Sequence, residues 1–220
     1  MTDSIREQVI DLGRAVARAG LVVAAGGNIA ARITDDRMWV TPTGWSLADL
    51  SAANLVQVSL DGRRLEGALA PSSEVLLHLA ALQARPDVMW SLHLHPPMAT
   101  LLPVLDIPIR TITTDHAFYL RNIASVPYLH PGSAELASAA AAELAGGADV
   151  VLLHHHGCLA VGDTPDLVLS RAVNLEAAAE ATYRARLLGD HSAECPSQFL
   201  EHVLRQEAGG HRYGLRQRHD

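Results

Sequence analysis

The chain has 220 residues, of which 49% are hydrophobic and 19% are charged, and its formal net charge at pH 7 is −7. This composition is typical of a globular domain that buries about 70% of its unfolded surface, and it argues against disorder. The negative charge and the absence of a basic cluster argue against nucleic acids and anionic membrane surfaces as partners.

Three features of the sequence predict a cytoplasmic protein. Its two cysteines, Cys158 and Cys195, are far apart and form no metal-type pair, which favours a reducing compartment. The N-terminus carries an early acidic residue and an amphipathic pattern, neither of which is typical of a signal peptide. No apolar run approaches the ~20 residues that a membrane-spanning helix requires.

The first part of the chain predicts a helix followed by antiparallel strands. Apolar residues at helical spacing predict a helix over about residues 3–19, and the run Gly26–Gly27–Asn28 follows it. A double glycine lets backbone N–H groups approach a ligand, although such a run is most often only a turn. Alternating residues then predict a hairpin over 29–33 and 38–41 and another strand over 55–60.

A second helix is predicted to begin after Pro71–Ser72–Ser73–Glu74 and to end near Arg85–Pro86. In the simplest interpretation a serine caps this helix and Glu74 interacts favourably with its positive end. The same arrangement also suits a phosphate, because free N–H groups and two hydroxyls meet at a helix N-terminus. Both interpretations can hold together.

Two histidines lie at the end of a predicted buried strand. The apolar run 88–94 is stopped by Pro96–Pro97, so a strand ending at His95 is expected. Because side chains alternate along a strand, His93 and His95 project from the same face, about 7 Å apart, and can bind one metal ion. Strand histidines are more often core or hydrogen-bonded residues, so the pair needs a third ligand to indicate a metal site.

A second predicted strand, at about residues 150–154, ends in three consecutive histidines followed by Gly157. If the strand stays regular, His154 and His156 lie on one face and His155 lies on the other. One histidine of this run can complete a metal site with the first pair, which makes a metal site the favoured interpretation.

The remaining predicted elements are two helices and a tail. The helices cover about residues 133–144 and 165–188, the second with Thr164 as its cap. Residues from about 205 to 220 form a polar tail, and such tails are usually disordered. Tyr213 lies between glycines in this tail, which leaves open a role in closing a site.

Five short motifs, in this order along the chain, resemble the class II aldolase family of fuculose-phosphate aldolase and ribulose-phosphate 4-epimerase. They are Gly27–Asn28, Thr41–Pro42–Thr43–Gly44, Pro71–Ser72–Ser73–Glu74, His93–Leu94–His95 and His156–Gly157. Each motif is weak alone, but their order is specific, and the likeness covers nearly the whole chain. The tail segment Tyr213–Gly214–Leu215–Arg216 further resembles the end of the fuculose-phosphate aldolase branch.

The resemblance implies a fold and an assembly. The expected fold is α/β, a three-layer α/β/α sandwich around a mixed, largely antiparallel sheet, with residues 1–220 forming a single domain. The expected assembly is a homotetramer whose active sites lie between subunits, with the C-terminal tail helping to complete them.

The resemblance also implies a set of site residues. The metal ligands map onto His93, His95 and His156, and the expected cofactor is Zn²⁺, although such a site also accepts other divalent transition metals. The acid/base carboxylate maps onto Glu74, and the tail tyrosine maps onto Tyr213. The phosphate-binding residues map onto Gly27, Asn28, Thr43, Gly44, Ser72 and Ser73.

The activity implied by the resemblance is that of a zinc-dependent lyase of carbohydrate metabolism. It would cleave a ketose 1-phosphate by a retro-aldol reaction into dihydroxyacetone phosphate and a short aldehyde. A dehydratase of methylthioribulose phosphate or a decarboxylase of a sugar-acid phosphate would share the same metal and phosphate residues. The 4-epimerase is disfavoured because Phe118 replaces its catalytic aspartate, and an adducin-like interaction domain is disfavoured because such domains lack the metal histidines.

The sequence departs from the family pattern at three places. Gly26 stands where the family usually has serine or threonine, and Ala30 stands where serine is common, so the phosphate site has fewer hydroxyls. The second catalytic tyrosine of the aldolase, expected soon after Pro108, has no counterpart, because Thr111–Ile112–Thr113 occupies that stretch. The group that handles the aldehyde half of the substrate is therefore undetermined.

Overall fold

A computed structural model of the chain describes residues 2–209, which form seven α-helices, one eight-stranded sheet and a short 3-10 turn at Leu47–Asp49. The helices are α1 (Thr2–Arg18), α2 (Val75–Ala84), α3 (Pro97–Val104), α4 (Thr114–Tyr119), α5 (Ala134–Ala145), α6 (Pro165–Leu187) and α7 (Ser197–Ala208). The strands are β1 (Asn28–Thr34), β2 (Arg37–Val40), β3 (Val56–Ser59), β4 (Arg64–Glu66), β5 (Trp90–Leu94), β6 (Ile123–Val126), β7 (Val150–Leu153) and β8 (Gly157–Gly162). Within residues 2–209, no helix is both long and apolar enough to cross a membrane.

The sheet has the strand order β4-β3-β2-β1-β5-β8-β7-β6. Neighbouring strands are antiparallel throughout, except for the parallel pair β6 and β7. The sheet is therefore mixed and largely antiparallel, as expected. Strand β5, which ends at the predicted metal histidines, lies in the interior of the sheet between β1 and β8.

Helices cover both faces of the sheet. Leu92 and Leu94 of β5 belong to a core that includes residues of α1, α3 and α6. Side chains that point to the other face of the sheet, such as those of Leu159 and Val161 of β8, belong to a second core together with residues of α2 and α5. The arrangement confirms the three-layer α/β/α fold, and it places His93 on the face covered by α2.

Several elements were not predicted from the sequence. The proline pair after His95 ends a strand as expected, but Pro97 also begins helix α3, because proline is well suited to the first turn of a helix. Helix α7 ends at Ala208, so the segment predicted as a polar tail begins inside a helix. The predicted site residue Tyr213 lies outside the described residues.

The three consecutive histidines adopt a turn instead of continuing a strand. Strand β7 ends at Leu153, residues 154–156 form the turn, and β8 begins at Gly157. His155 has φ 59°, which lies in the left-handed region that side chains seldom adopt. The expectation of regular alternation over this run is therefore wrong, because the chain reverses direction to form the β7–β8 hairpin.

The expected serine cap of α2 is also corrected. The residue at the cap position is Glu74, and its side chain makes no capping hydrogen bond. The hydroxyl of Ser72 instead accepts a hydrogen bond from the backbone N–H of Glu74 at 3.1 Å. Ser72 thus shapes the turn before the helix, and the carboxylate of Glu74 is left for other contacts.

Replacing Leu92 by alanine should lower the free energy of unfolding by about 2–5 kcal/mol, because it deletes a fully buried side chain in the interior of the sheet. The matched control is Leu188→Ala: Leu188 is 89% exposed, so the change should stay within about 0.5 kcal/mol. Urea unfolding of the metal-free protein, followed by circular dichroism, measures both. Equal losses in the two variants would contradict the placement of Leu92 in the core.

Candidate metal centre

Four side chains that can bind a metal converge at one end of the sheet. Glu74, His93, His95 and His156 each offer one ligand atom, and these atoms all lie within 4.8 Å of one another. Glu74 begins α2, His93 and His95 stand at the end of β5, and His156 closes the turn before β8. The structure therefore brings together the three histidines and the carboxylate that the sequence analysis singled out.

The proton position on His93 follows from its backbone contact. Its ring is fully buried, and Nδ1 lies 2.9 Å from the carbonyl oxygen of Cys158. A carbonyl oxygen only accepts hydrogen bonds, so Nδ1 carries the hydrogen and donates it. In the neutral ring the lone pair is then on Nε2, which lies 2.9 Å from His95 Nε2 and 2.9 Å from Glu74 Oε2. Such a backbone partner is typical of a metal-binding histidine.

The donor atoms of the cluster fit a cation. Nε2 of His93 and Oε2 of Glu74 both present lone pairs to each other, so a proton or a cation has to separate them. Glu74 Oε1 is buried without a hydrogen-bond partner among the described residues, although it lies 3.1 Å from His156 Nε2 in a poorly aligned contact. Imidazole nitrogens and a carboxylate oxygen are the donors that Zn²⁺ and similar divalent ions prefer.

The charge states in the cluster also suit a metal. Burial raises the pKa of Glu74, but the contacts with His156 and His93 outweigh burial and hold the pKa of that carboxyl well below its usual range. Burial, together with the charges of His93 and His156, lowers the pKa of His95 to about 4. At pH 7 the cluster thus presents a carboxylate, and His95 is in the neutral form that binds metals.

Two glycines allow the backbone to pack closely around the histidines. A Cβ atom at Gly157 would collide with the carbonyl oxygen of Leu94 and lie 2.6 Å from Cδ2 of His95. Gly27 has φ 78°, and a Cβ atom there would lie 2.9 Å from the carbonyl oxygen of His93. The glycine of the His-Gly motif is therefore required by the carbonyl group of Leu94 and by the position of the His95 ring.

Glu176, which the sequence analysis did not single out, holds the segment that follows His95. Its carboxylate accepts hydrogen bonds from the backbone N–H groups of Met98, at 2.9 and 3.0 Å, and of Ala99, at 2.8 Å. These groups lie in the first turn of α3, where an anion is favoured and where Pro96 offers no side-chain cap. Nothing in the local sequence points to this contact, because the two segments are 78 residues apart.

The segments expected to bind phosphate lie side by side. The hydroxyl of Thr41 accepts from the N–H of Ile29 at 3.1 Å, and the carbonyl oxygen of Thr41 accepts from the N–H of Ser72 at 3.0 Å. The side chains of Thr43 and Ser73 are exposed, as is Gly44, whereas Ser72 is buried. Three predicted phosphate contacts therefore face solvent beside the start of α2.

Asn28 is held differently. Its Nδ2 donates to Oε2 of Glu74 at 3.1 Å, and its Oδ1 lies 2.6 Å from Nε2 of His78. The amide therefore contacts the carboxylate of the cluster directly. His78 was also not singled out from the sequence, although its position one helical turn after Glu74 is a signal for such a contact.

Tyr128 is an exposed phenol beside His155 that the sequence analysis did not single out. It lies on the loop after β6, its residue is 57% exposed, and its ring centroid is 6.2 Å from that of His155, the neighbour of His156. The same loop approaches the start of α2, because a Cβ atom at Gly132 would lie 2.8 Å from the carbonyl oxygen of Ser73.

Comparisons with known proteins agree with the fold and the motifs. The family model described as "Class II Aldolase and Adducin N-terminal domain" matches residues 7–183. A 5-methylthioribulose-1-phosphate/5-deoxyribulose-1-phosphate aldolase of Rhodospirillum rubrum is 33% identical over 202 residues, which cover 91% of this chain and 90% of the relative. A 3-oxo-tetronate 4-phosphate decarboxylase of Haemophilus influenzae is 33% identical over 168 residues, which cover 74% of this chain and 79% of the relative.

A solved structure gives the same result for the fold. An L-fuculose 1-phosphate aldolase superposes with a TM-score of 0.83 at 23% sequence identity, over 93% of this chain and 96% of that protein. At this identity the likeness concerns the fold alone. The family match over most of the chain, together with the relatives, confirms the resemblance that the sequence motifs carried. The chain therefore belongs to the class II aldolase and adducin N-terminal domain family.

Proposed function

We propose that the protein is a metal-dependent lyase that cleaves a ketose 1-phosphate by a retro-aldol reaction, releasing dihydroxyacetone phosphate and a short aldehyde. The observation that carries the proposal is the cluster of a buried Glu74 and three histidines, whose ligand atoms lie within 4.8 Å of one another beside exposed hydroxyls at a helix start. The names of relatives among the matches support a sugar-phosphate substrate for carbon–carbon lyase chemistry. As part of the same proposal, the enzyme is a homotetramer with active sites between subunits.

The amino-acid composition favours a metal over a Schiff base. Cleaving a carbon–carbon bond next to a ketone leaves negative charge that an electrophile has to stabilise, and enzymes use either a lysine Schiff base or a metal for this purpose. The 220 residues contain no lysine, since all 17 basic residues counted are arginines. The electrophile in this chain is therefore a metal, held by His93, His95 and His156.

Zinc is the metal that this proposal assigns to the three histidines. When bound, it supplies a Lewis acid for the carbonyl and hydroxyl oxygens of the substrate. Three neutral imidazole ligands leave the full charge of the ion in place. Iron, cobalt or manganese also bind such nitrogen ligands, so metal analysis of the purified protein identifies the native ion.

Glu74 moves the proton at carbon in this proposal. In the direction of condensation its carboxylate accepts a proton from the carbon of dihydroxyacetone phosphate, and in the direction of cleavage it returns that proton. Abstraction requires a carboxylate that is ionised before the transfer, and Glu74 meets this requirement because its pKa is held low; in cleavage the protonated carboxyl returns the proton and is ionised afterwards.

The phosphate and the aldehyde are assigned to groups around Glu74. Gly27, Asn28, Thr43, Gly44, Ser72 and Ser73 form the proposed phosphate site. Its exposed members lie at the N-terminus of α2, whose N–H groups favour an anion. Tyr213 is proposed to transfer the proton on the aldehyde oxygen, and Tyr128, an exposed phenol whose ring lies 6.2 Å from that of His155, is proposed for the role left without a counterpart in the sequence.

A decarboxylase of a sugar-acid phosphate is the second candidate, because one relative is a 3-oxo-tetronate 4-phosphate decarboxylase. Loss of carbon dioxide from a 3-oxo acid leaves the same kind of charge next to a ketone. The aldolase of Rhodospirillum rubrum matches 91% of this chain and another 3-oxo-tetronate 4-phosphate decarboxylase, from Escherichia coli, matches 85%, so the choice between the two reactions is left to experiment. NMR analysis of products distinguishes the aldolase from the decarboxylase. The metal-loaded protein is incubated with dihydroxyacetone phosphate and a panel of aldehydes, and separately with a 3-oxo-tetronate 4-phosphate.

The protein should bind about one divalent ion per chain, and His93→Ala, His95→Ala and His156→Ala should each remove most of it. The measurement is elemental analysis after dialysis against zinc. The control is His155→Asn, since asparagine tolerates a φ of 59° and His155 is exposed, so this variant should keep its metal. Full metal in the His156 variant would mean that another histidine of the run is the ligand.

Inorganic phosphate should compete with the substrate, and Ser73→Ala should raise KM more than it lowers kcat if the contact binds substrate and transition state equally. Steady-state kinetics with and without phosphate measure both effects. The control is Ser138→Ala on α5, which removes another exposed hydroxyl outside the proposed site. Equal turnover of phosphorylated and unphosphorylated ketoses would show that the site does not select a phosphate.

Glu74→Gln should slow the exchange of the carbon-bound proton of dihydroxyacetone phosphate with solvent deuterium by roughly 10²–10⁴-fold, because an amide cannot carry the proton. NMR of the metal-loaded protein with dihydroxyacetone phosphate alone measures this step without aldehyde chemistry. Metal content and fold should be retained. Exchange at the native rate in this variant would mean that another residue is the base.

A further inference from the structure

His78 makes two buried hydrogen bonds that the proposed mechanism does not use. The residue is fully buried on α2, one turn after Glu74. Its Nδ1 lies 2.7 Å from the hydroxyl of Ser91, and its Nε2 lies 2.6 Å from Oδ1 of Asn28. Ser91 and Asn28 belong to two neighbouring strands, β5 and β1, so the ring connects the helix to the sheet directly behind the cluster.

The carboxylate of Glu74 determines the direction of the hydrogen bonds that connect it, through Asn28 and His78, to Ser91. Glu74 Oε2 only accepts, so the amide nitrogen of Asn28 has to face it and the amide oxygen has to face His78. That oxygen also only accepts, so the hydrogen of His78 is on Nε2. Burial lowers the pKa of His78 to about 3, so the ring is neutral at pH 7, and its Nδ1 accepts from the hydroxyl of Ser91.

A rotated Asn28 amide would disrupt both of its contacts. Its oxygen would then face the carboxylate of Glu74, and its nitrogen would face the N–H of His78. Two acceptors would meet at one end and two donors at the other, in a region where Asn28 is only 7% exposed and water offers little compensation. A neutral His78 with its hydrogen on Nε2 is therefore what keeps the amide nitrogen directed at Glu74.

We propose that His78 is a positioning residue that fixes the Asn28 amide and thereby holds the carboxylate of Glu74 in place. The inference rests on the proposed function, in which Glu74 is the base. The amide of Asn28 donates to Oε2 of Glu74 at 3.1 Å, so a rotated amide would remove the donor that holds the carboxylate.

Two substitutions of His78 separate its two contacts. Glutamine places an amide nitrogen near the position of Nε2, so His78→Gln keeps a donor for Asn28 and loses the contact with Ser91. Asparagine places its polar atoms near the position of Nδ1, so His78→Asn keeps the contact with Ser91 and loses the donor for Asn28. The control is His116→Gln, which replaces another buried histidine by a residue that preserves the capping box at the start of α4.

The hydrogen position is measured first, in the metal-free native protein, by ¹⁵N NMR of the histidine rings. The expected result is a neutral His78 with its hydrogen on Nε2. A hydrogen on Nδ1, or on both nitrogens, would overturn the proposal. This measurement needs no activity and no variant, so it decides the inference even if the proposed lyase reaction fails.

The second measurement is the exchange of the carbon-bound proton of dihydroxyacetone phosphate with solvent deuterium. His78→Asn should slow exchange by about 10–100-fold with KM changed by less than about threefold, because one hydrogen bond that orients a charged group is lost. His78→Gln and His116→Gln should stay within about threefold of the native rate. Equal rates in the two His78 variants, whether both native or both slow, would overturn the proposal. Absence of exchange in the native protein would instead contradict the proposed function.

Discussion

The register of β5 between its two neighbours is the constraint on which the candidate site depends. On one side Asn28 of β1 pairs with His93, and on the other side Cys158 of β8 pairs with Leu94. A slip of one residue in either pairing would turn alternate side chains to the opposite face of the sheet. Asn28 would then point away from Glu74, and the carbonyl oxygen that fixes the His93 ring would be displaced. The hydrogen bonds between these strands thus determine which side chains of the cluster face one another.

The same constraint explains how a carboxylate is tolerated in a buried position. Glu74 is only 7% exposed, and a buried anion is costly unless donors or cations surround it. Asn28 and the histidines provide those partners, and each reaches Glu74 from a different segment of the chain. The carboxylate of Glu74 is therefore surrounded by its partners only when these segments are packed together in the folded protein, because no single segment can stabilise it alone.

Features of the site that depend on local spacing could be predicted from the sequence, whereas features that depend on pairing between distant segments could not. The alternation of His93 and His95 follows from strand geometry, and the start of α2 follows from its composition. The turn geometry at His155 and the contact of Glu176 with α3 depend on how strands and helices meet. The spacing of His78 from Glu74 placed it on the same side of α2, but its contacts with Asn28 and Ser91 depend on how that helix packs against two strands.

Glu176 links His95 to the opposite layer of the sandwich. The carboxylate comes from α6, a helix of 23 residues on the far face of the sheet, and it holds the first turn of the helix that follows His95. A substitution at Glu176 would therefore act on the cluster while leaving its four side chains unchanged. It would leave the N–H groups of Met98 and Ala99 without their acceptor, in the segment that directly follows His95. The orientation of one imidazole thus depends on a helix that contributes no side chain to the cluster.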